Sequence, residues 1–289
     1  MDHKPQVRLR HAIICCGFQK CGTTSLWNYV VKSSNVSHFS IKERDFFNKA
    51  NSNFDIASDE FFKSGSEIFF DVSPQYACKN AADEILRFGF EKISIVFLVR
   101  DPIQRIQSHI SQQLRVSDLK LEQILENVES ELDALVSHYK FSRKVPVRDM
   151  LSFDMINSQV VFNSCYWSTI DYYSKKFGAE NISIFDMTKV DKDPSVLNLV
   201  FKKFGFEIND VEFSKSNVGG RARFKFIKRF FSNSYIRSFF RFIVPMPIYA
   251  RIWWFIKTEL MIDKRNKKSI HLTDQLRLKL DIFFSDYRQ

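Results

Sequence analysis

The run Gly17-Phe18-Gln19-Lys20-Cys21-Gly22-Thr23-Thr24-Ser25-Leu26 holds the residue types most able to do chemistry in this chain. An apolar stretch at 12–16 precedes it and reads as a buried parallel strand, and the periodic stretch 25–31 after it reads as a helix. A turn between a strand and a helix N-terminus gathers backbone N–H groups under the positive end of a helix dipole, which is a cradle for phosphate. Nucleoside-triphosphate loops follow G-x-x-x-x-G-K-[ST], with lysine directly after the second glycine. Here Gly17 and Gly22 keep that spacing, Thr23 fills the lysine's place, and the only lysine of the loop, Lys20, comes three residues earlier. Set back in this way, the cation lies nearer the first phosphate, over its bond to whatever it carries. There it would neutralise charge on a bridging oxygen as a group departs. Thr23 and Thr24 offer hydroxyls and N–H groups to the same phosphate. The alternative is a glycine turn that only joins strand to helix.

A second run supports the phosphate reading. Residues 93–99 are continuously β-branched or apolar apart from Ser94, and they lead into Arg100-Asp101-Pro102-Ile103-Gln104-Arg105-Ile106-Gln107-Ser108. Pro102 suits the first position of a helix and Asp101 its N-cap. In open α/β sheets ligands bind beyond the carboxyl ends of the strands, which puts Arg100 beside the first loop. Ser108, two turns into the helix, presents a hydroxyl to the same crevice. A guanidinium fork with a hydroxyl fits a phosphate monoester. A magnesium-dependent hydrolase would want an acid where Arg100 stands, and a local Arg100–Asp101 ion pair is the plainer alternative.

With both motifs in view, the chain resembles the sulfotransferase superfamily, whose members use 3′-phosphoadenosine-5′-phosphosulfate (PAPS). Residues 17–26 resemble the family's 5′-phosphosulfate loop and 98–108 its 3′-phosphate motif. The resemblance implies that Lys20, Gly22, Thr23, Thr24 and Ser25 hold the 5′-phosphosulfate, with Lys20 acting on the leaving phosphate. It implies that Arg100 and Ser108 hold the 3′-phosphate, and that no metal takes part. Ile41-Lys42-Glu43-Arg44-Asp45-Phe46-Phe47 is similar to the K-E-x-x-F-F segment of glycan-type and bacterial members, which makes Glu43 the implied general base. An attacking hydroxyl must lose its proton, and a carboxylate in reach takes it; Phe46 and Phe47 are expected to shield that carboxylate. Solvated loop charges are the plainer account of Glu43 and Arg44. Asp45, His38 and His109 are fallback bases. Asp71-Val72-Ser73-Pro74-Gln75-Tyr76 resembles the family's E-x-S-P-x-Y segment, with Asp71 in place of glutamate. Arg221, in Asn217-Val218-Gly219-Gly220-Arg221-Ala222-Arg223, falls where the family puts a further cation over the 3′-phosphate.

The elements that must position these residues alternate in the manner of an α/β protein. The expected fold is a P-loop-like three-layer arrangement, a central parallel sheet flanked by helices, with a carboxyl-terminal helical cap. Residues 1–214 form the expected core, and the basic, aromatic residues 215–289 a helical portion packed on the same domain. The periodicity predicts a helix over 163–177 whose aromatic residues serve the core, a strand at 182–185 and a loop at 186–194. Residues 272–287 resemble the start of the family's final helix, so a frayed or truncated end is expected at 289.

Composition narrows the classes. An apolar fraction of 45% over 289 residues supports a full core. Five cysteines without a C-x-x-C pair read as buried thiols of a reducing compartment, not as a disulfide framework or zinc site, although the cationic loop could activate Cys21. The polar start of the chain suggests no signal peptide or anchor, hence a cytoplasmic enzyme. The net charge of +10 is concentrated toward the carboxyl end. Within the basic, aromatic residues 223–262, the stretch 239–262 is interrupted by charges and by Pro245 and Pro247, so it reads as two amphipathic helices and not as a membrane span. Three roles fit them: a cap, peripheral contact with an anionic membrane, or help in holding an acidic or lipid-linked acceptor. Nucleic acid is not an expected partner. The acceptor is expected to be a glycan or lipid-linked sugar. A P-loop kinase or nucleotide hydrolase with a displaced lysine, and a non-catalytic nucleotide- or membrane-binding module, remain as competing functions.

Overall fold

The computed structural model describes residues 9–48, 56, 62–205, 221–222, 262–263 and 270–288. Its sheet consists of β1 (His11–Cys15), β2 (Ser37–Phe39), β3 (Phe62–Lys63), β4 (Ile68–Val72), β5 (Lys92–Val99) and β6 (Ile182–Asp186), in the order β3-β2-β4-β1-β5-β6. All neighbours run parallel except β2 and β3, which pair antiparallel at the edge. The sheet is therefore mixed where a parallel one was expected. Burial of β1, β4 and β5 on both faces explains their apolar runs.

The helices are α1 (Thr23–Ser33), α2 (Lys79–Phe88), α3 (Pro102–Val116), α4 (Leu121–Tyr139), α5 (Phe153–Ser158), α6 (Trp167–Phe177), α7 (Met187–Val190), α8 (Asn198–Lys202) and α9 (Asp274–Phe283). The larger core lies on the sheet. A second one joins Ile103, Ile106 and Ile110 of α3 to Ile124, Val128 and Leu132 of α4 and to Leu276, Leu280 and Phe283 of α9. The helix expected over 163–177 begins only at Trp167, after a 3₁₀ turn at Phe162–Ser164. The expected loop at 186–194 contains α7, capped where Thr188 N–H donates to Asp186 at 2.7 Å. Tyr166, Tyr173 and Phe177 are buried core residues, as expected of that aromatic segment. The amphipathic helices expected around Pro245 and Pro247 lie outside the described residues. So does most of the loop at 217–223, of which only Arg221 and Ala222 are placed, in a short antiparallel pairing with Ile262 and Asp263. No described helix is long and apolar enough to cross a membrane.

Candidate functional site

β1 lies between β4 and β5, and its carboxyl end opens at the point where the chain's crossovers part to either side. The loop that follows is pinned by backbone bonds. Cys16 N–H donates to Val96 O at 3.0 Å, Phe18 N–H to Leu98 O at 3.0 Å, and Leu98 N–H returns to Gly17 O at 2.9 Å. Gly22 is the N-cap of α1 with φ of 85°. A Cβ there would meet only the flexible end of the Met187 side chain of α7, so the left-handed backbone is what calls for glycine. Thr23 and Ser25 are buried and Thr24 is half-buried in the first turn of α1, where helix geometry leaves backbone donors pointing outward. Lys20, a non-glycine residue, sits at φ of 68°.

The loop is surrounded by cations. Burial lowers the Lys20 ammonium to about 8, and repulsion from Arg115, Arg105 and Arg100 adds to it. Arg100 is half-buried at the end of β5; its Nε donates to Gln104 Oε1 at 3.2 Å and its carbonyl accepts from Tyr287 O–H at 3.1 Å. Ser108 is half-buried on α3 and has no hydrogen-bond partner among the described residues. Arg115 lies seven residues further on, so on an α-helix it shares the Ser108 face. Burial lowers its pKa too. None of Lys20, Arg100, Arg105 and Arg115 contacts a carboxylate among the described residues. Cations gathered in this way fit a ligand carrying several negative charges.

Arg105 is entirely buried and acts inside the protein. Its Nε donates to Gln19 O at 3.1 Å, Nη2 to Gln19 Oε1 at 3.0 Å, and Nη1 to Val160 O at 2.6 Å and Ser164 Oγ at 3.4 Å. The Glu131 carboxylate accepts from the N–H groups of Val160, Val161 and Phe162 at 2.8, 3.0 and 2.9 Å. The residue before Lys20 is thus tied to a turn more than a hundred residues away. The sequence motif contained Arg105 without revealing this role, and Arg115 was not anticipated at all; periodicity from Ser108 was the signal available for it.

The segment bearing Glu43 is fastened to residues 73–76, just past the end of β4. Glu43 and Asp45 both take left-handed backbone, at φ of 60° and 54°. Glu43 is exposed and pairs with Lys42. The expected shield is absent: the Phe46 and Phe47 rings turn toward Phe39, Phe69, Phe88 and Tyr76. The fallback bases fare worse. Both Asp45 oxygens accept hydrogen bonds, from Ser73 and Gln75. His38 is half-buried on β2, with β4 between it and β1. His109 is buried, and burial holds its pKa well below the usual range. Its Nε2 faces Asn157 O at 3.0 Å and so carries the proton. All five cysteines are buried and unpaired, and burial pushes Cys21 up to about 11 against the pull of Arg105, which favours plain packing over activation by the cationic loop.

No protein-family model and no curated protein matches the chain. Among solved structures it is similar to a sulfotransferase from Alicyclobacillus acidocaldarius, with 16% identity, a TM-score of 0.52, and coverage of 97% of this chain and 92% of that one. The fold is therefore sulfotransferase-like, an α/β sheet flanked by helices.

Proposed function

We propose that the chain moves a sulfuryl group from PAPS to a hydroxyl or amine, with a glycan or lipid-linked sugar as the favoured acceptor. The observation that carries this reading is the set-back Lys20, held near Arg100, Arg105 and Arg115 without a carboxylate contact among the described residues, within a sulfotransferase-like fold. Glu43 takes the acceptor's proton, and the acceptor oxygen or nitrogen forms a bond to sulfur. The bond from sulfur to the bridging phosphate oxygen breaks, and its electron pair stays on that oxygen. Lys20 and the first-turn amides of α1 stabilise this charge, while Arg100, Ser108 and Arg221 hold the 3′-phosphate of the departing adenosine 3′,5′-bisphosphate. Such a reaction depends mainly on positioning and electrostatics.

The test is a pooled-acceptor assay with labelled PAPS, products resolved by mass, in the presence of EDTA. Transfer is expected to survive the chelator. ATP turnover that requires magnesium would replace this reading with a P-loop kinase or hydrolase. Tight binding of the bisphosphate without transfer to any acceptor class would favour a non-catalytic module.

The lowered Lys20 pKa sets a pH dependence. The ammonium binds the anion, and the free protein loses it above about 8. A bound phosphate raises that pKa, so binding takes up a proton near pH 8 and affinity falls as pH rises beyond it. Without ligand the sign reverses for stability. The unfolded chain holds its Lys20 proton up to about 10.5, so the folded state gains stability between about 8 and 10.5. Calorimetry of adenosine 3′,5′-bisphosphate in buffers of different ionisation enthalpy should show the uptake in the parent and not in Lys20→Ala.

A further inference from the structure

We propose that Asp71, through Tyr76, is the positioning residue for the segment that carries Glu43; this rests on the sulfuryl-transfer reading above. Asp71 lies in β4 opposite Ile14 of β1 and is 1% exposed. A carboxyl so buried is costly to keep charged and contributes nothing to an apolar core. Both of its oxygens are in use. Oδ1 accepts from Val72 N–H at 2.8 Å, and Oδ2 accepts from the Tyr76 hydroxyl at 2.7 Å. The Tyr76 oxygen accepts in turn from Phe47 N–H at 3.4 Å. The result is a directed chain, Phe47 N–H to Tyr76 O–H to Asp71, that ends four residues from Glu43.

Direction is what the carboxylate supplies. An ionised carboxylate only accepts, so the Tyr76 proton must point at Asp71 and its lone pairs are left for Phe47. An asparagine with its oxygen on Val72 N–H would present an N–H to Tyr76 and compete with Phe47. Two further contacts fasten the same segment. The Asp45 carboxylate accepts from Ser73 and Gln75, and Asn48 Nδ2 donates to Gln75 O at 3.1 Å. Tyr76 is fixed from behind, where the Tyr173 hydroxyl donates to its carbonyl. Left-handed backbone at Glu43 and Asp45 persists only where surroundings over-determine it, and these bonds do so. Asp71 is no base itself, because it lies under Tyr76 with both oxygens engaged.

Burial pushes Asp71 up to about 6, with Asp45 adding to the rise and Tyr76, Val72 and Lys42 opposing it; its charge in turn raises the buried Cys15 and Cys16 thiols nearby. The latch is thus complete near neutrality, where the carboxyl is mostly ionised.

Tyr76→Phe and Asp71→Asn test the proposal, the first because it removes a single oxygen. Transfer is expected to fall tenfold or more in kcat for both, with adenosine 3′,5′-bisphosphate binding unchanged. In a Glu43→Gln background the Tyr76→Phe loss should largely disappear, since both changes disable one group. Hydrogen exchange supplies a readout independent of activity: Phe47 N–H should exchange at least tenfold faster in both variants. Multiplying losses in the double variant, or unchanged Phe47 protection, overturns the proposal. If the parent itself transfers no sulfuryl group, the functional reading fails, and the exchange measurement still decides the latch.

Discussion

Lys20→Ala is expected to lower sulfuryl transfer by about 10²–10³-fold, the cost typical of removing one preorganised charge-stabilising donor, while the protein melts no lower than its parent. The two halves have one cause. Lys20 is held among Arg115, Arg105 and Arg100 with no carboxylate contact among the described residues, and burial already lowers its pKa to about 8. In the ligand-free fold its charge is therefore unfavourable, and alanine relieves a repulsion. The charge becomes useful only once an anion is bound, and most useful when the bridging oxygen takes up the electron pair. Lys20→Arg keeps the charge but spreads it over a larger planar fork in place of a compact ammonium, so partial recovery is expected. Steady-state kinetics with PAPS beside a thermal melt would check both halves. A Lys20→Ala protein that transfers at the parental rate would remove Lys20 from the mechanism. One that melts far lower would make the lysine a structural residue.

What the sequence disclosed about this site follows the range of the interactions involved. β1 and β5 announce themselves through apolar runs because both faces are buried, and Asp101 caps α3 because capping is local, with Gln104 N–H donating to it at 2.9 Å. Gly22 was legible as the end of a phosphate-type turn, but not the Met187 side chain packed over it, since that contact spans more than 160 residues. The same limit hid the docking of Asp45 on Ser73 and Gln75. A K-E-x-x-F-F pattern marks Glu43 without showing whether its phenylalanines face the carboxylate or the core, and here they face the core. The antiparallel β2–β3 edge escaped because strands of three and two residues carry almost no periodicity. Arg105 reads locally as one more charge on an amphipathic helix, and its acceptors at Gln19 and Val160 lie 86 and 55 residues away.

That concealed role gives the largest stability effect. Arg105→Met should destabilise the protein by roughly 2–4 kcal/mol and lower its melting temperature by about 3–7 °C. Methionine replaces the apolar stem at similar length, so packing is largely kept. The four hydrogen bonds to Gln19, Val160 and Ser164 are lost, however, and the part-buried Gln19 carbonyl and the buried Val160 carbonyl are left without that donor. Each buried acceptor stranded in this way costs about 1–3 kcal/mol. Part of that is offset, because burying a guanidinium is itself unfavourable and the substitution removes it. Glu131 works against the offset. Burial already raises its pKa and Arg105 is a cation that lowers it, so Arg105→Met shifts Glu131 further toward the neutral acid, which weakens its grip on the amides at 160–162. The damage also reaches the ligand. With Gln19 released, the backbone at Lys20 has less to hold it, and adenosine 3′,5′-bisphosphate should bind at least tenfold more weakly to the fraction that remains folded. Arg105→Lys separates charge from geometry, since an ammonium preserves the field at the loop but cannot span Gln19 and Val160 together. If Lys recovers binding but not stability, Arg105 serves the ligand by its charge; if it recovers neither, the fork itself holds the loop. A melt of Arg105→Met indistinguishable from the parent's would mean that this buried guanidinium is not what ties the loop down.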